Sequence, residues 1–387
     1  MKILAMDTSS KVCSVAIIDD GKVIKELHNE SELEHSQTLM PMIDEILRQA
    51  GITLNDINLL ACGVGPGSFT GIRVGIATVK AMADSKNIPI VGVNSLEAQT
   101  YALKMSRQDD ENIQNCKVLS MIDARNDNVY FAVYRIHNGN ISVYKNADVM
   151  SLDNVTEFFN MQTPLYVVGT CNYERLKPVL EAEKQKEIAE GRTVLGYRRI
   201  GGELPTMAEA VGIAAINKYN LGIIDDSNSI RPKYLKKTSA EIDRTGEERL
   251  YLNEMSITDV EEVLDNYEKF PNLWDERTFE EDFKNSNYVV AKLNNEVVGY
   301  ISTRTVMNEL EFINIVTRVD MYDKGIASNL ISYVIRKNAD VDRIHLEVNE
   351  KSENAMRLYR RYGFREDGRR KHYYKDGGDA VLMTLVI

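Results

Sequence analysis

The stretch INIVTRVDMYDKGIASNLI, residues 313–331, predicts a strand that runs through a short loop into a helix. The first residues of that helix include Gly325 and Ala327. Small residues at a helix N-terminus let backbone N–H groups approach an anion, and the helix dipole favours pyrophosphate there. The stretch is therefore suited to phosphate binding, although a tight turn with no ligand has the same pattern.

Two residues further along the chain give this stretch a more specific meaning. Glu347 lies in LEVN, 22 residues after Gly325, and Tyr359 lies 12 residues further on in NAMRLYRRYGF. In this order the motifs resemble the GNAT acetyltransferase superfamily, and in particular its RimI type, which acetylates the N-terminal alanine of a ribosomal protein. The resemblance covers about residues 249–387, including a tail, HYYKDGGDAVLMTLVI (372–387), that is similar to the closing hairpin of that family.

The resemblance implies an α+β domain with a mixed central sheet that uses acetyl-CoA as co-substrate, with no metal. In the family, the strand before the helix pairs with the pantetheine arm, the loop and helix start hold the pyrophosphate through the backbone, and one further position touches the cofactor. The corresponding residues are Ile315, Val316 and Thr317 for the arm, Asp323, Lys324, Gly325, Ile326, Ala327 and Ser328 for the pyrophosphate, and Ser352 or Asn354 for the further contact.

The implied catalytic pair is Glu347 as general base and Tyr359 as general acid. A protein α-amine, with a pKa of about 7.7–8.0, is mostly protonated at neutral pH, so a carboxylate that takes its proton makes it nucleophilic. Tyr359 then protonates the departing CoA thiolate. Taken singly, Glu347 has the pattern of a surface carboxylate and Tyr359 that of a core aromatic; with Gly325 they indicate a site.

Two residues depart from the family pattern. Tyr322 stands where the family usually has Gln or Arg, and Asp323 replaces a common basic residue that faces phosphate. We therefore expect weakened affinity for CoA and an intact acid–base pair.

The N-terminal part begins with three predicted strands, KILAMDTS, VCSVAIID and KVIKELHN. Helical apolar spacing follows over about 36–50, and a β-α-β unit runs from LLACGVG through a helix at 69–87 to IPIVGV. Strand–helix alternation resumes up to about residue 235. The polar, charged segment KTSAEIDRTGEE predicts a linker at 237–248, which separates a domain at 1–236 from one at 249–387.

Four motifs in the first part resemble the TsaB (YeaZ) family of the ASKHA superfamily. They are MDTSS (6–10), HSQTLMPMIDEIL (35–47), GVGPGSFTGIRVGIATVKAMA (63–83) and DARNDNVYFAVY (123–134). The resemblance covers about 1–235 and implies a two-lobed, RNase H-like or actin-like α/β fold. The helices at 36–50 and 69–87 would form its subunit interface.

This first domain lacks features of catalytic ASKHA proteins. An active member needs a second glycine-rich phosphate loop, and VVGTCNYE (167–174) is not one. The catalytic relative TsaD binds metal through two histidines on one helical turn, whereas here His35 is followed by Leu39. The resemblance thus implies a non-catalytic subunit that dimerises with a TsaD-like protein, works with a TsaE-like ATPase and supports threonylcarbamoyladenosine formation in tRNA. We interpret Gly65, Gly67 and Gly71 as turn and packing residues rather than ligand contacts.

Composition limits the remaining possibilities. The 387 residues are 43% apolar and 27% charged, which predicts a folded protein of two or more cores. A formal charge of −11 argues against broad nucleic-acid binding, so any tRNA role is indirect. A basic run at 357–375 is the local exception, interpreted as a solvated face. Scattered cysteines and histidines, and no apolar membrane segment, favour a cytoplasmic protein with reduced thiols and no metal site.

Three hypotheses follow from these features. The leading one is a fusion of a TsaB-like subunit with an N-terminal acetyltransferase acting on a ribosomal protein. The second treats the whole chain as a scaffold in which the GNAT fold only binds a partner. The third makes the first domain a nucleotide hydrolase, against which the missing second glycine loop counts.

Overall fold

The computed structural model of the chain describes residues 1–30, 35–125, 128–200, 204–235, 250–271, 274–374 and 376–387. The chain divides into two compact units, one of Met1–Ser142 with Ala147–Lys236 and one of Val143–Asn146 with Lys237–Ile387. The linker predicted at 237–248 lies outside the described residues and stays a prediction. Within the described ranges, every helix is too short or too polar to cross a bilayer.

The first lobe of the first unit is a five-stranded sheet in the order β3-β2-β1-β4-β5. Its strands are β1 (Lys2–Asp7), β2 (Cys13–Asp19), β3 (Lys22–Asn29), β4 (Leu59–Gly63) and β5 (Ile90–Val93). Asp20 and Gly21, both with positive φ, form the tight turn between β2 and β3 that matches the twist of a hairpin. Strand β2 pairs antiparallel with β1 and β3, and β1, β4 and β5 are parallel. The three predicted strands and the β-α-β unit are therefore confirmed.

Helices cover both faces of this sheet because its central strands are apolar on both sides. On β1, Leu4 and Met6 face helices α1 (His35–Ala50) and α2 (Phe69–Lys86), while Ile3 and Ala5 face α3 (Ser95–Ser106) and α5 (Met207–Asn220). The alternation follows from the two-residue period of a strand. Two separate apolar layers therefore hold the lobe together.

The second lobe is another five-stranded sheet, in the order β10-β9-β6-β7-β8. Its strands are β6 (Asn115–Asp123), β7 (Asn128–His137), β8 (Asn140–Ser151), β9 (Leu165–Thr170) and β10 (Tyr197–Arg199), and α4 (Tyr173–Ala189) follows β9. The two lobes confirm the predicted two-lobed α/β fold. The sequence pattern did not single out α3, α4, β8 or β10.

The second unit is built on a seven-stranded sheet in the order β11-β12-β13-β14-β15-β17-β16. The strands are β11 (Leu250–Glu254), β12 (Asn287–Leu293), β13 (Glu296–Val306), β14 (Glu309–Thr317), β15 (Arg343–Asn349), β16 (Arg365–Arg370) and β17 (Ala380–Val386). Only β14 and β15 pair in parallel, so the predicted mixed sheet is confirmed. Its helices are α6 (Ile257–Asp265), α7 (Glu276–Phe283), α8 (Ile326–Lys337) and α9 (Glu353–Arg361).

Short 3-10 turns occupy several connections, at Leu54–Asp56, Glu111–Gln114, Leu152–Phe158, Tyr267–Lys269 and Val319–Met321. The closing hairpin begins earlier than the tail at 372–387 indicates, because its first strand is β16. That strand reads REDGRR and is almost wholly exposed at the edge of the sheet, so it has no apolar alternation to predict it.

Candidate active site

Strands β14 and β15 diverge in the middle of the second sheet. They pair from Glu309–Arg343 to Phe312–Leu346, and among these described strands no register pair follows, although β14 continues to Thr317. On its other edge β14 stays paired with β13 through a bulge at Ile313. A bulge bends the strand that carries it, so the ends of β14 and β15 separate.

The three residues predicted to hold the pantetheine arm lie on this separated end of β14. Val316 is buried in the core between the sheet and α6 and α7, whereas Ile315 and Thr317 are partly exposed. Successive backbone groups of a strand point to both of its neighbours. Beyond Phe312, the backbone groups of β14 that point towards β15 are therefore suited to hydrogen-bond an extended ligand that carries amide groups. Such a ligand is what the predicted pantetheine-binding role requires.

The loop after β14 leads into the N-terminus of α8. Gly325 caps the helix in a left-handed conformation, with φ of 78°, which a side chain would strain. The amides of Ile326 and Ala327 belong to the first turn, where N–H groups have no partner within the helix. Asp323 is also left-handed, with φ of 61°, and it is exposed, as are Tyr322 and Lys324.

The remaining predicted cofactor residues differ in what their side chains can offer. The hydroxyl of Ser328 lies 2.9 Å from the hydroxyl of Tyr362. The group of Ser328 that remains to bind an anion is therefore its backbone N–H. Ser352 caps α9 without a side-chain bond to it and is exposed. The exposed Asn354 accepts a hydrogen bond from Arg357.

Glu347 lies on β15 beside the separated strand ends. Leu346 and Val348, its neighbours in sequence, are buried on the opposite face of the sheet. The Glu347 side chain is 24% exposed, and its Oε1 lies 3.1 Å from a guanidinium nitrogen of Arg370 on β16. A partly exposed carboxylate on this face is accessible to a bound amine.

Tyr359 lies on α9 and packs edge-on against Phe364, with ring centroids 5.9 Å apart. Phe364 in turn contacts Phe312, the last residue of β14 that pairs with β15. Burial raises the pKa of Tyr359, and the nearby Tyr374 raises it further. The phenol is therefore protonated at neutral pH, as a proton donor must be.

Tyr374 is the site residue that the sequence analysis missed. Burial raises its pKa first, and the charge of Glu347 raises it next. Since Tyr374 also raises the pKa of Tyr359, this side chain lies near both predicted catalytic residues. The pair of tyrosines in HYYKDGG is a signal that could have drawn attention to the loop.

The loop that carries Tyr374 is fastened to the end of β15. Asn349 donates a hydrogen bond to Asp376 at 3.2 Å, and Lys351 pairs with the same carboxylate at 3.3 Å. Glu350 accepts from the backbone N–H of Asp379 at 3.1 Å. These contacts hold the loop close to Glu347.

In the first unit, the motif MDTSS forms a closed polar cluster. Asp7 is fully buried, and the Oγ of Ser9 donates to its carboxylate at 3.0 Å. Ser95 in turn donates to Ser9 at 3.0 Å, and the Nε2 of His35 lies 2.8 Å from the carbonyl of Ser10. Burial raises the pKa of Asp7 to about 6, against the opposing bonds from Ser9.

The glycines of GPGSFTG serve close packing. A Cβ on Gly67 would stand 2.2 Å from the carbonyl oxygen of Ser9, and one on Gly71 would stand 1.9 Å from that of Thr8. Gly65 has a φ of 99°, in the left-handed region. Their interpretation as turn and packing residues is confirmed.

Helices α1 and α2 leave a groove of about 410 Å³ on the surface of the first unit. Its lining is small or apolar, and Met40 on α1 is 47% exposed. The lining residues are Met40, Ala77, Thr78, Ala81, Met82 and Ser85. Exposed apolar residues on a helix pair are typical of a protein-binding surface.

Two regions of the chain match known families. Residues 28–243 match the family described as TsaD, tRNA N6-adenosine threonylcarbamoyltransferase. Residues 251–387 match the acetyltransferase (GNAT) domain.

Individual relatives are similar to one part of the chain or the other. The tRNA threonylcarbamoyladenosine biosynthesis protein TsaB of Escherichia coli (strain K12) is 43% identical over 36% of this chain and 58% of its own length. TsaB of Bacillus subtilis (strain 168) is 31% identical over 44% of this chain and 71% of its own length. The crystal structure of the ribosomal-protein-S18-alanine N-acetyltransferase from Escherichia coli matches with a TM-score of 0.34 and 25% identity, over 36% of this chain and 94% of that one. The chain spans little more than half the length of several TsaB relatives, between 53% and 61% for three of them.

Proposed function

Since the chain belongs to the TsaD family, is similar to TsaB proteins and continues into a GNAT acetyltransferase domain, we propose that it is a bifunctional protein. The second unit transfers an acetyl group from acetyl-CoA to a protein N-terminal α-amine, that of a ribosomal protein alanine. The observation that carries this proposal is the divergence of β14 from β15 beside Glu347. It opens the sheet at the place where an extended thioester substrate and a base are both needed.

The proposed transfer assigns one task to each residue. Glu347 takes the proton of the acceptor ammonium, directly or through one water, and the freed nitrogen forms the C–N bond with the acetyl carbon. As the C–S bond breaks, its electron pair goes to sulfur, and Tyr359 donates a proton there. The nitrogen gives up its second proton to water, and Tyr359 regains a proton from water. The amides of Ile326 and Ala327 hold the pyrophosphate at the positive end of α8. Acetyl-CoA supplies the activated thioester.

Mass spectrometry of ribosomal N-termini tests this proposal. Ribosomal proteins that lack N-terminal acetylation are incubated with acetyl-CoA and either the wild-type chain or Glu347→Gln. We expect one N-terminus to gain an acetyl group with the wild type, and at least about 100-fold less with the variant, because general-base catalysis contributes about 10²–10⁴-fold. Calorimetry with acetyl-CoA distinguishes the enzymatic proposal from the scaffold alternative. No binding of acetyl-CoA by the wild-type chain would contradict the enzymatic proposal.

The first unit acts as the non-catalytic subunit of a tRNA-modifying assembly. It docks a TsaD-like catalytic subunit through the groove between α1 and α2, together with a TsaE-like ATPase, and supports threonylcarbamoyladenosine formation without performing the transfer. Two observations support this role: the exposed Met40 in a groove lined by small residues, and the full burial of Asp7, which makes its carboxylate inaccessible to a ligand. The buried Asp7 also argues against a nucleotide hydrolase.

Binding to a TsaD homologue tests the docking role. Ala81 is exposed in the groove, so Ala81→Arg places a long charged side chain there without touching the core. We expect at least tenfold weaker association by calorimetry, because an unpaired charge in an apolar interface costs more than about 1.4 kcal/mol. The matched control is Ala182→Arg, an exposed alanine on α4. Equal affinity for both variants would contradict the assignment of the groove.

A further inference from the structure

Arg370 reaches Glu347 across a neighbouring strand. Glu347 pairs with Leu382 of β17, and Leu382 pairs with Gly368 of β16. Residues two apart on a strand lie on the same face, so Arg370 shares the face of Glu347. Gly368, the β16 residue in line with Glu347 and Leu382, has no side chain of its own on that face. The ion pair at 3.1 Å is therefore a contact over the face of the sheet.

Arg370 is held in place, and the neighbouring carboxylates have other partners. Its guanidinium carbon lies 5.6 Å from the ring centre of Tyr373. Glu366 and Glu350 both pair with Arg369, and Asp376 pairs with Lys351. Among the described residues, Glu347 is the carboxylate that pairs with Arg370.

An acceptor amine must compete with Arg370 for Glu347. A nitrogen that donates its proton to Glu347 lies about 3 Å from the carboxylate, and the Arg370 nitrogen lies 3.1 Å from the same group. The acceptor nitrogen therefore comes within about 6 Å of the guanidinium, a distance that side chains of the first residues of a peptide span easily. When the amine binds Glu347 in place of Arg370, the guanidinium is left without a negatively charged partner.

We propose that Arg370 is a specificity-determining residue that selects acceptor N-termini with aspartate or glutamate at their second or third position. The acceptor carboxylate pairs with Arg370 in place of Glu347. Glu347 is then free to accept the proton of the amine. A guanidinium binds a carboxylate with two parallel hydrogen bonds, so the exchange replaces one charge-assisted contact with another. The inference rests on the proposed acetyl transfer and narrows its substrate class.

The charge of the surrounding surface favours the same acceptors. Residues 357–371 contain seven basic side chains and only two acidic ones, in a chain whose formal charge is −11. A surface of one sign attracts partners of the opposite sign and disfavours those of its own. A peptide with lysine at the same positions would meet Arg370 and Lys371, both exposed, with like charge.

Acetylation of three matched peptides by the full chain tests the inference. The peptides begin Ala-Asp-Glu, Ala-Asn-Gln and Ala-Lys-Lys and share the rest of their sequence. For the wild type we expect kcat/KM to be about tenfold higher with the acidic peptide than with its amide counterpart, and lowest with the lysine peptide. Arg370→Gln should bring the acidic and amide peptides within about twofold of each other, and Arg370→Glu should make the lysine peptide the best of the three.

The control is Arg365→Glu, the same charge reversal at the far end of β16. Because five residues of strand separate it from position 370, about 17 Å, it should keep the wild-type order of peptides. Circular dichroism checks that each variant is folded, and an exposed side chain on an edge strand should tolerate the change. Equal kcat/KM for all three wild-type peptides would overturn the role of Arg370 and leave acetyl transfer standing. No acetylation of any peptide or ribosomal N-terminus would overturn the proposed function itself.

Discussion

The carboxylate of Asp7 lies so close to Gly63 that a Cβ built on that glycine would stand 2.0 Å from Oδ2. The two residues end the neighbouring parallel strands β1 and β4. The contact leaves the carboxylate fully buried, with hydrogen bonds from Ser9 as its compensation. An acidic residue at the end of the first strand has thus become part of the interior of the unit.

The burial of Asp7 predicts that the first unit loses stability as pH rises. Because the pKa is raised from 3.8 to about 6 on folding, the protonated carboxyl favours the folded state. This contribution is fully present below about pH 3.8 and is lost as pH rises through 6, by about 3 kcal/mol in total. Asp7→Asn removes the ionisation and keeps an acceptor for Ser9.

Hydrogen exchange of peptides from β1 measures this effect in the full chain. After correction for intrinsic exchange, protection in the wild type should fall between pH 4.5 and 7.5 relative to Asp7→Asn. Other titrating groups contribute equally to both proteins, so the difference isolates Asp7. Parallel pH profiles for the two proteins would contradict the assignment.

The packing of Gly71 against Thr8 predicts a large loss of stability on Gly71→Ala. The added methyl group would meet a backbone carbonyl at 1.9 Å, which cannot move without shifting β1. We expect the free energy of unfolding to fall by about 3 kcal/mol or more. Gly222→Ala is the control: its φ of 73° is strained, but nothing lies within 4 Å of the new carbon, so about 1 kcal/mol is expected. Urea unfolding followed by circular dichroism compares the two.

The elements that were predictable from sequence are those with a strong local signal. Strands β1 and β2 are short apolar runs, and a tight turn joins β2 to β3. Helix α8 carries buried residues at Ile326, Leu330 and Ile331 that follow a helical period. Helix α4 and strand β16 were not singled out because their residues are mostly polar: α4 buries Leu176 and Leu180 among many charges. Tertiary pairing, rather than local pattern, defines such elements.

The site was predictable to the extent that its residues are close in sequence. Gly325 caps α8, Glu347 lies on β15 and Tyr359 lies on α9, and their spacing along the chain is the pattern that indicated a site. Arg370 and Tyr374 reach the site through the register of β16 and β17, which no spacing in the sequence encodes. A bulge such as that at Ile313 is equally invisible to sequence patterns, although it separates β14 from β15.

Because Asp323 is negatively charged, we expect CoA to bind this loop more weakly than it would bind the same loop without that charge. It is exposed at the N-terminal end of α8, where an anion is expected to bind, and like charge opposes a phosphate. Asp323→Asn keeps the left-handed conformation that asparagine tolerates well. We expect the Kd for CoA to fall about three- to fivefold at low salt, with the gain shrinking as salt rises, because one repulsive contact near a helix end contributes about 0.5–1 kcal/mol.

Calorimetry at two salt concentrations checks this prediction. The control is Asp340→Asn, which removes the same charge from an exposed residue beyond the other end of α8. It should leave the Kd unchanged. A Kd that rises in Asp323→Asn would mean that this carboxylate helps to hold the loop.

Tyr359 and Tyr374 are expected to give opposite kinetic results when each loses its hydroxyl. If Tyr359 protonates the leaving thiolate, Tyr359→Phe lowers kcat by about 10²-fold or more and leaves acetyl-CoA binding intact, because the proton is needed only in the transition state. Tyr374 lies near Glu347 and Tyr359 and is fastened through its loop, so Tyr374→Phe should raise KM for the acceptor more than it lowers kcat. Steady-state kinetics with a saturating thioester separates the two effects. The reverse result, a lost kcat in Tyr374→Phe and a mild effect in Tyr359→Phe, would move the proton donor from α9 to the closing hairpin.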